Sequence, residues 1–245
     1  MSLPDRTSYA GLAAIPDRPA NIAAIEACSI LNALSAEERQ KVAGESFMAY
    51  AERGELIFGA GSVAETVCIV GTGFVKLTRA SGSGQEMSVE LLGPGQCFGL
   101  LVAIEGRAYP LSSIAVTNCW YLKVPSRVLL PLYQASGAFK DNVVRSLGPR
   151  LRKAHDMMLR LSSVRVEERL AAVLFILGDS YGLREDGHLK ISVPLTRQDV
   201  AEMAGTTVET TIRTFSRWQK SGILATDRQR LTILDEHALE EIMHA

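Results

Sequence analysis

The sequence predicts an α+β protein with three parts: an antiparallel β-roll, a long helix and a C-terminal winged helix-turn-helix. Short apolar runs alternate with glycine-bearing turns over residues 47–125, a seven-residue apolar repeat occupies 144–161, and two short helical patterns precede a hairpin pattern over 195–234. We therefore expect an arm over 1–24, a roll over 25–130, a long helix over 131–163 and a winged helix domain over 164–245.

Bulk composition sets the class of protein. The chain has 245 residues, enough for two modest domains with a core each, and 47% hydrophobic with 22% charged residues is ordinary for a globular protein. A net charge of −1 argues against indiscriminate coating of nucleic acid. No apolar run approaches the roughly 20 residues that span a bilayer, and no basic-then-apolar leader opens the chain. We expect a cytoplasmic protein with no membrane partner.

The N-terminal half of the sequence has a helical pattern first and a series of short strand patterns after it. A helical pattern runs from about Ala24 to Ala43, with Ser35 as its candidate N-cap. Many short strands at close spacing then indicate an antiparallel roll or barrel. The predicted strands are 55–58, 66–70, 74–78, 87–91 and 114–117.

The long helix carries an apolar seam with 3-4-3-4-3 spacing, the pattern of a coiled coil. Its residues are Val144, Leu147, Leu151, Ala154, Met158 and Leu161. Either two copies of the helix pair along this seam or the helix lies on the core of its own domain. Pro149 follows Gly148, so the helix either kinks there or starts afresh with Pro149 in its first turn. Ser162-Ser163 ends the pattern as a candidate hinge.

The C-terminal domain opens with an amphipathic helix over Val166–Asp179. A first short helix then runs from Arg197 to Met203 with Thr196 as its N-cap, and Gly205 supplies a left-handed turn. A second helix runs from about Thr207 to Lys220. We expect its apolar positions to face a core: Val208, Ile212, Phe215 and Trp218.

The first turns of that second helix carry the chemistry of DNA recognition. Arginine binds the edge of guanine with two hydrogen bonds, and a carboxylate accepts from cytosine, so Glu209, Thr210 and Arg213 suit a major groove. The alternative is an ordinary helical hairpin with a solvated polar face. A hairpin pattern follows, 223–226 and 230–234 around a turn at 227–229, where a winged helix has its wing. Cations collect here: Arg213, Arg217, Lys220, Arg228 and Arg230.

Three regions carry a family resemblance: the predicted roll, the helix after the candidate hinge and the second helix of the helix-turn-helix. Ile69–Val75 and Gly93–Gly99 look like the glycine turns of a cyclic-nucleotide-binding roll, and Glu167–Ala171 looks like a helix that follows a hinge. Val208-Glu209-Thr210 with Arg213 is similar to a family recognition helix. In this order, residues 28–245 resemble the CRP/FNR (cyclic-AMP receptor protein/fumarate-nitrate reduction regulator) family of bacterial transcription regulators.

The resemblance implies a homodimer that reads palindromic double-stranded DNA, with RNA polymerase as a further partner. It assigns guanine to Arg213 and cytosine to Glu209, and favours pairing of the long helices because a two-fold site needs two readers. Ile212 replaces a serine of the FNR branch and is expected to contact a thymine methyl. Candidate phosphate contacts are Thr207, Thr210, Arg217 and Arg197. The half-site should resemble TTGAT or TGTGA.

Departures from the family's pattern concern the sensor. Leu100 stands where the cyclic-AMP-binding branch has a glutamate. Pro110 and Leu111 stand at or near the position of that branch's Arg-Ser pair. The arginine nearby, Arg107, lies three residues before that position. A buried phosphate without a cation is costly, so we expect no tight binding of cyclic AMP. The iron–sulfur cluster of the FNR branch needs closely spaced N-terminal cysteines, and only Cys28 lies there.

The effector is therefore left open by the sequence. An apolar pocket for haem, an aromatic molecule or another apolar effector would be lined by Leu100, Leu101, Val102, Ile104, Tyr109 and Cys97. The alternatives are a filled core with no ligand and control by abundance or protein contacts. His155 and Met157–Met158 are candidate haem ligands. A redox role for Cys97 or Cys119 is a further alternative, although nothing nearby in sequence lowers a thiol pKa.

Catalysis and metal binding find no support in the sequence. There is no Ser/His/Asp or Cys/His arrangement, no P-loop and no metal-spaced cluster, so we expect no enzyme. His188, His237 and His244 lie in predicted loop or C-terminal contexts. The four cysteines, Cys28, Cys68, Cys97 and Cys119, are expected to be buried free thiols.

Overall fold

The computed structural model of the protein describes residues 16–80, 86–163 and 165–243. Its N-terminal segment is helical in three short pieces: α1 (Asn21–Ala27), a 3-10 helix (Ser29–Ala33) and α2 (Ala36–Gly44). We predicted one helical pattern here, but extended backbone at Cys28 and Leu34 interrupts it. Ser35 is the N-cap of α2, as predicted. Its side chain accepts from the Glu38 amide at 3.2 Å, and the Glu38 carboxylate accepts from the Ser35 amide at 2.7 Å.

The roll consists of two four-stranded antiparallel sheets. Its strands are β1 (Phe47–Ala51), β2 (Leu56–Phe58), β3 (Thr66–Thr72), β4 (Val75–Ala80), β5 (Glu86–Leu92), β6 (Cys97–Phe98), β7 (Ser112–Ala115) and β8 (Cys119–Pro125). The first sheet has the order β1-β8-β3-β6 and the second the order β2-β7-β4-β5. All five predicted strands are present, within a few residues of their expected bounds. The sequence reasoning missed β1, β6 and β8.

Gly73 allows the tight turn between β3 and β4, and its φ is +76°. A Cβ at this position would lie 2.5 Å from the Asn118 carbonyl oxygen and 2.8 Å from the Cys119 Cβ. We expect Gly73→Ala to lower the free energy of unfolding by about 3 kcal/mol, because backbone strain and a clash with rigid neighbours add. Urea denaturation measures the loss.

Gly54→Ala is the matched control for Gly73→Ala. Gly54 has a similar φ of +84°, but a Cβ there would have no close neighbour among the described atoms. Only the left-handed backbone is then strained, which costs about 1 kcal/mol. Equal losses of stability in the two variants would contradict the close approach assigned to Gly73.

Helices pack against one side of the roll and lead out of it. They are α3 (Leu100–Glu105), α4 (Ser126–Ala135) and α5 (Gly137–Ser163). The long helix α5 thus begins at Gly137, not near 131, because α4 is a separate helix that ends before Ser136. Helix α5 continues through Pro149, so the interpretation that a fresh helix starts there is wrong. Phe139 and Val143 of α5 are buried in the core that the helices share with the first sheet.

The C-terminal part, residues 166–243, is called the reading head below. Its elements are α6 (Val166–Tyr181), β9 (Gly182–Glu185), β10 (His188–Ile191), α7 (Arg197–Ala204), α8 (Val208–Lys220), β11 (Leu224–Asp227), β12 (Arg230–Ile233) and α9 (Glu236–Met243). The predicted wing hairpin is β11–β12, and it joins β10 and β9 in one antiparallel sheet of order β11-β12-β10-β9. His188 therefore begins a strand instead of lying in a loop, and His237 lies on α9. His244 lies outside the described residues.

Candidate DNA interface and sensor cavity

Helix α7 and the following turn match the predicted first half of a helix-turn-helix. The Thr196 side chain accepts from the Asp199 amide at 3.1 Å, which confirms Thr196 as the N-cap. Gly205 has φ +58° and ends the helix in the left-handed region, as predicted. Arg169 of α6 donates to the carbonyl oxygens of Ala204 at 2.8 Å and Gly205 at 3.1 Å. These bonds hold the turn to α6 and so fix the direction in which the next helix leaves.

Helix α8 starts from a second capped end. Thr207 is its N-cap, and its hydroxyl accepts from the Thr210 amide at 3.2 Å and donates to the Thr210 hydroxyl at 3.1 Å. The dipole of a helix favours an anion at its N-terminal end. Thr207 is exposed and Thr210 half-buried at this end, and their contacts with phosphate stay a prediction.

The buried side of α8 differs from the predicted one. Phe215 and Trp218 are buried, with their rings stacked at 5.7 Å, but Ile212 is 48% exposed and does not face the core. Thr211 and Thr214 are buried in its place. Each residue turns about 100° around a helix axis, so a stripe through 211, 214–215 and 218 leaves position 212 outside. The Thr211 hydroxyl remains satisfied because it donates to the Thr207 carbonyl at 3.1 Å.

The exposed side of α8 brings the predicted base-reading residues together. Glu209 and Arg213 are one turn apart on the helix, Ile212 lies beside them, and all three side chains are exposed. A carboxylate, a guanidinium and an apolar side chain thus share one open face. This combination can accept from a base amine, bind an acceptor pair and contact a methyl group.

The two remaining phosphate candidates are differently placed. Arg217 is exposed and forms an ion pair with Glu167 of α6. Arg197 is half-buried with its guanidinium 4.8 Å from the centre of the Phe215 ring, and burial lowers its pKa. Arg197 is therefore not on the face shared by Glu209 and Arg213. The other cations of α8 and the wing, Lys220, Arg228 and Arg230, are exposed.

Helix α5 leaves much of the predicted seam uncovered. Val144 is 65% exposed, Leu151 58% and Met158 62%, and these three residues are spaced by seven. Ala154 is exposed as well, whereas Leu147 is half-buried and packs against the core of the roll. The side chain of Leu161 lies outside the described part of the chain. Four of the six predicted seam residues, Val144, Leu151, Ala154 and Met158, therefore form an apolar stripe that faces away from the protomer.

A cavity of about 130 Å³ lies between the roll and α5. Leu100, Leu101, Val102, Tyr109 and Cys97 line it, which brings together the predicted pocket residues except Ile104. Ile104 packs instead against the core beneath α3. Further lining comes from distant elements and was not predicted: Ile30, Phe58, Leu77, Val143 and Leu147.

Arg150 of α5, which was not among the predicted pocket residues, brings a charged side chain to the lining of the cavity. Its guanidinium donates to the Cys97 carbonyl at 2.9 Å and pairs with Glu90 at 3.0 Å. Burial raises the pKa of Glu90, while the nearby Arg150 opposes that rise. Pro110 and Leu111, at or near the position of the family's Arg-Ser pair, also line the cavity. A cyclic phosphate would thus meet apolar side chains and a cation already paired with a carboxylate.

The four thiols are buried, whereas the described candidate haem ligands are exposed. All four cysteines are buried, and burial raises the pKa of Cys68 and that of Cys119 to about 12. A hydrogen bond between the Cys28 and Cys97 thiols lowers the pKa of Cys28 and raises that of Cys97. The pKa values of Cys97 and Cys119, the two thiols considered for a redox role, are thus both raised. His155 and Met158 are exposed on α5, and the side chain of Met157 is outside the described set.

The described ranges hold neither a cluster of potential metal ligands nor a helix that could cross a membrane. No three His, Cys, Asp or Glu side chains of those ranges converge as metal ligands. Among the same residues, every helix is too short or too polar to cross a bilayer.

Comparison with protein families gives two matches in the order of the two structural parts. A model of the cyclic nucleotide-binding domain matches residues 49–136, and a model of the Crp-like helix-turn-helix domain matches residues 168–242. The first covers nearly all of the roll together with α4, and the second covers most of the reading head.

Individual relatives are regulators. The nitrogen fixation regulation protein FixK of Azorhizobium caulinodans is 28% identical over 210 residues, which cover 85% of this chain and 84% of that protein. The fumarate and nitrate reduction regulatory protein of Vibrio cholerae is 27% identical over 191 residues, covering 78% of this chain and 76% of that protein. The solved structure of FixK2 from Bradyrhizobium japonicum superposes with a TM-score of 0.72 at 23% identity, over 82% of this chain and 98% of that one.

Proposed function

The chain belongs to the CRP/FNR family of transcription regulators, and on that premise we propose that it binds a palindromic DNA site as a homodimer. The single observation that carries this proposal is the open face of α8, where Glu209, Ile212 and Arg213 are exposed together. A DNA target also implies a cytoplasmic location, and RNA polymerase is the expected further partner.

Specific roles follow from the chemistry of this face. Arg213 is proposed to bind guanine and Glu209 to accept from a cytosine, while Ile212 contacts a thymine methyl. The half-site should resemble TTGAT or TGTGA. Thr207, Thr210 and Arg217 are proposed phosphate contacts, and Arg197 becomes one only after its guanidinium leaves the Phe215 ring.

The uncovered stripe on α5 is proposed to bind a second copy of this chain. Val144, Leu151 and Met158 recur every seven residues, the repeat with which two helices pair along their whole length. A pair related by a two-fold axis also supplies the two reading heads that a palindrome requires, with half-site centres roughly 34 Å apart. The same apolar stripe would otherwise remain in water.

The experiment that tests DNA recognition is selection of bound duplexes from a random pool by the purified full-length protein. We expect a symmetric consensus, bound with an affinity that falls steeply as salt rises because phosphate contacts release counterions. Enrichment of sequences without two-fold symmetry would contradict DNA binding by a symmetric dimer. Failure to enrich any sequence would overturn the proposed function.

The cavity favours a small apolar effector over a cyclic nucleotide or haem. A volume of about 130 Å³ is close to that of an engineered apolar cavity of about 150 Å³ that binds benzene. Haem would need the lining to move apart, and cyclic AMP would bring a phosphate to Arg150, which Glu90 already neutralises. A regulator without a small-molecule effector, controlled by abundance or protein contacts, is the competing proposal.

Native mass spectrometry with an ultraviolet–visible spectrum tests these alternatives together. We expect no haem absorption band, and no heat of binding when cyclic AMP is titrated into the protein. A co-purified apolar molecule would support the effector, whereas a fully unliganded protein that binds its selected DNA equally well with and without cell extract would favour control by abundance.

A further inference from the structure

Ser113 of β7 carries a hydroxyl without a hydrogen-bond partner in the interior of the roll. The residue is 0% exposed, and no described atom bonds to its Oγ. Water satisfies such a hydroxyl in the unfolded chain, so leaving it unpaired in the folded protein costs stability. A bound molecule with one complementary polar group would satisfy it.

The register of the second sheet places this hydroxyl at the wall of the cavity. Ser113 pairs with Phe58 of β2 on one side and with Leu77 of β4 on the other. Residues that pair directly in an antiparallel sheet direct their side chains to the same face. Phe58 and Leu77 both line the cavity. The smaller Ser113 therefore lies in the wall between two lining side chains.

Other polar groups of the lining already have partners within the protein. The Tyr109 hydroxyl donates to a carbonyl oxygen of β3, and the Ser146 hydroxyl donates to a carbonyl oxygen of its own helix at 2.6 Å. The Arg150 guanidinium is paired with Glu90, as described above. The Ser113 hydroxyl differs from these groups because it remains free to bond to a ligand.

The size and the surface of the cavity limit the molecule that Ser113 could bind. The volume of about 130 Å³ suits a molecule about the size of benzene. Phe58 stacks on Tyr109 with ring centres 3.8 Å apart, and both rings belong to the lining. Aromatic and aliphatic walls favour an apolar body. A serine hydroxyl both donates and accepts hydrogen bonds, so it can recognise a hydroxyl group or a carbonyl oxygen.

We propose that Ser113 selects the effector: the cavity takes a compact apolar molecule with a single hydroxyl or carbonyl group, which forms a hydrogen bond with the Ser113 Oγ. This inference rests on the small apolar effector proposed above and is independent of the proposed DNA contacts. It assigns the group by which the protein distinguishes such an effector from a hydrocarbon of the same shape.

Toluene and phenol are matched probes for this role, because a methyl group in the one replaces the hydroxyl of the other. Calorimetric titration of the full-length protein gives the ratio of the two affinities, and the same ratio is measured for Ser113→Ala. We expect the affinity for phenol relative to toluene to fall about tenfold in Ser113→Ala, since a hydrogen bond is lost while the apolar contacts remain. An unchanged ratio would overturn the role assigned to Ser113.

Thr78→Val is the matched control for Ser113→Ala. Thr78 also has a buried hydroxyl without a partner among the described atoms, but side chains alternate along β4, so it lies on the opposite side from Leu77. On that side the Lys76 ammonium donates to Asp199 of α7 at 2.9 Å, outside the lining of the cavity. Thr78→Val should therefore keep the ratio of the two affinities. An equal fall in both variants would contradict a direct contact between Ser113 and phenol.

The stability of ligand-free Ser113→Ala provides a second measurement. Removing an unpaired hydroxyl breaks no hydrogen bond, so the variant should unfold at the same urea concentration as the unaltered protein or at a higher one. A clearly lower midpoint would show that the hydroxyl has a partner in the ligand-free protein, and would contradict the proposal.

The titrations also separate this inference from the effector proposal on which it rests. Binding of both probes, with a ratio that Ser113→Ala does not change, would overturn the role of Ser113 and leave a cavity for purely apolar molecules. Failure of both probes to bind the unaltered protein would overturn the cavity as the site of a small effector, and the role of Ser113 with it.

Discussion

Replacing Leu151 by glutamate is expected to turn a dimer into monomers and to lower the affinity for a palindromic duplex by about a hundredfold or more. Leu151 is exposed at the centre of the uncovered stripe, between Val144 and Met158. In a paired helix two glutamates would face each other in an apolar seam, where an unpaired charge loses its hydration. Loss of the second head removes the gain from bivalent binding, commonly 10²–10⁴-fold. Sedimentation velocity and gel-shift titration measure the two effects.

Arg152→Glu is the control for this prediction. Arg152 is exposed on the same helix but points about 100° away from Leu151, so the same new carboxylate enters outside the seam. That variant should remain a dimer. A single half-site duplex offers a second comparison, since Leu151→Glu should bind it about as well as the unaltered protein. A dimer of unchanged affinity in Leu151→Glu would contradict pairing through α5.

The helix-turn-helix was predictable because its signals are local. Thr196 and Thr207 each cap a helix through a contact three residues away, and Gly205 is left-handed where the sequence places the turn. Such signals depend on neighbouring residues alone. Helices α7 and α8 accordingly lie within one residue of their predicted bounds.

The strands that escaped prediction depend on distant partners. Strand β1 pairs with β8, which brings Phe47 beside Lys123. The local sequence pattern does not predict pairing between segments so far apart. The β9–β10 hairpin is different, because a signal was present and overlooked. Asp186-Gly187 has φ values of +54° and +78°, and an Asp-Gly pair between two short runs of alternating apolar and polar residues is typical of a tight hairpin turn.

The site residues also divide into those that local helical spacing predicts and those that depend on contacts between distant elements. Glu209, Ile212 and Arg213 share a face because helical spacing places them there, although the expectation that Ile212 faces the core overlooked its angular position. Arg150 reaches the Cys97 carbonyl only because α5 crosses the roll. The Lys76–Asp199 pair joins residues 123 positions apart. Contacts of this kind depend on how distant elements pack together, so no local sequence pattern predicts them.

Arg213→Ala should cost about 1–3 kcal/mol of binding free energy on the selected duplex and should relax selectivity at one base pair of each half-site. Arg213 is exposed beside Glu209, so its guanidinium can make the two hydrogen bonds with which arginine distinguishes guanine from other bases. Arg217→Ala is the matched control. If Arg217 contacts phosphate, its loss weakens binding to all sequences alike and reduces the salt dependence. Titration against duplexes with each base at the assigned position separates the two patterns, and a guanine preference retained by Arg213→Ala would assign that base to another side chain.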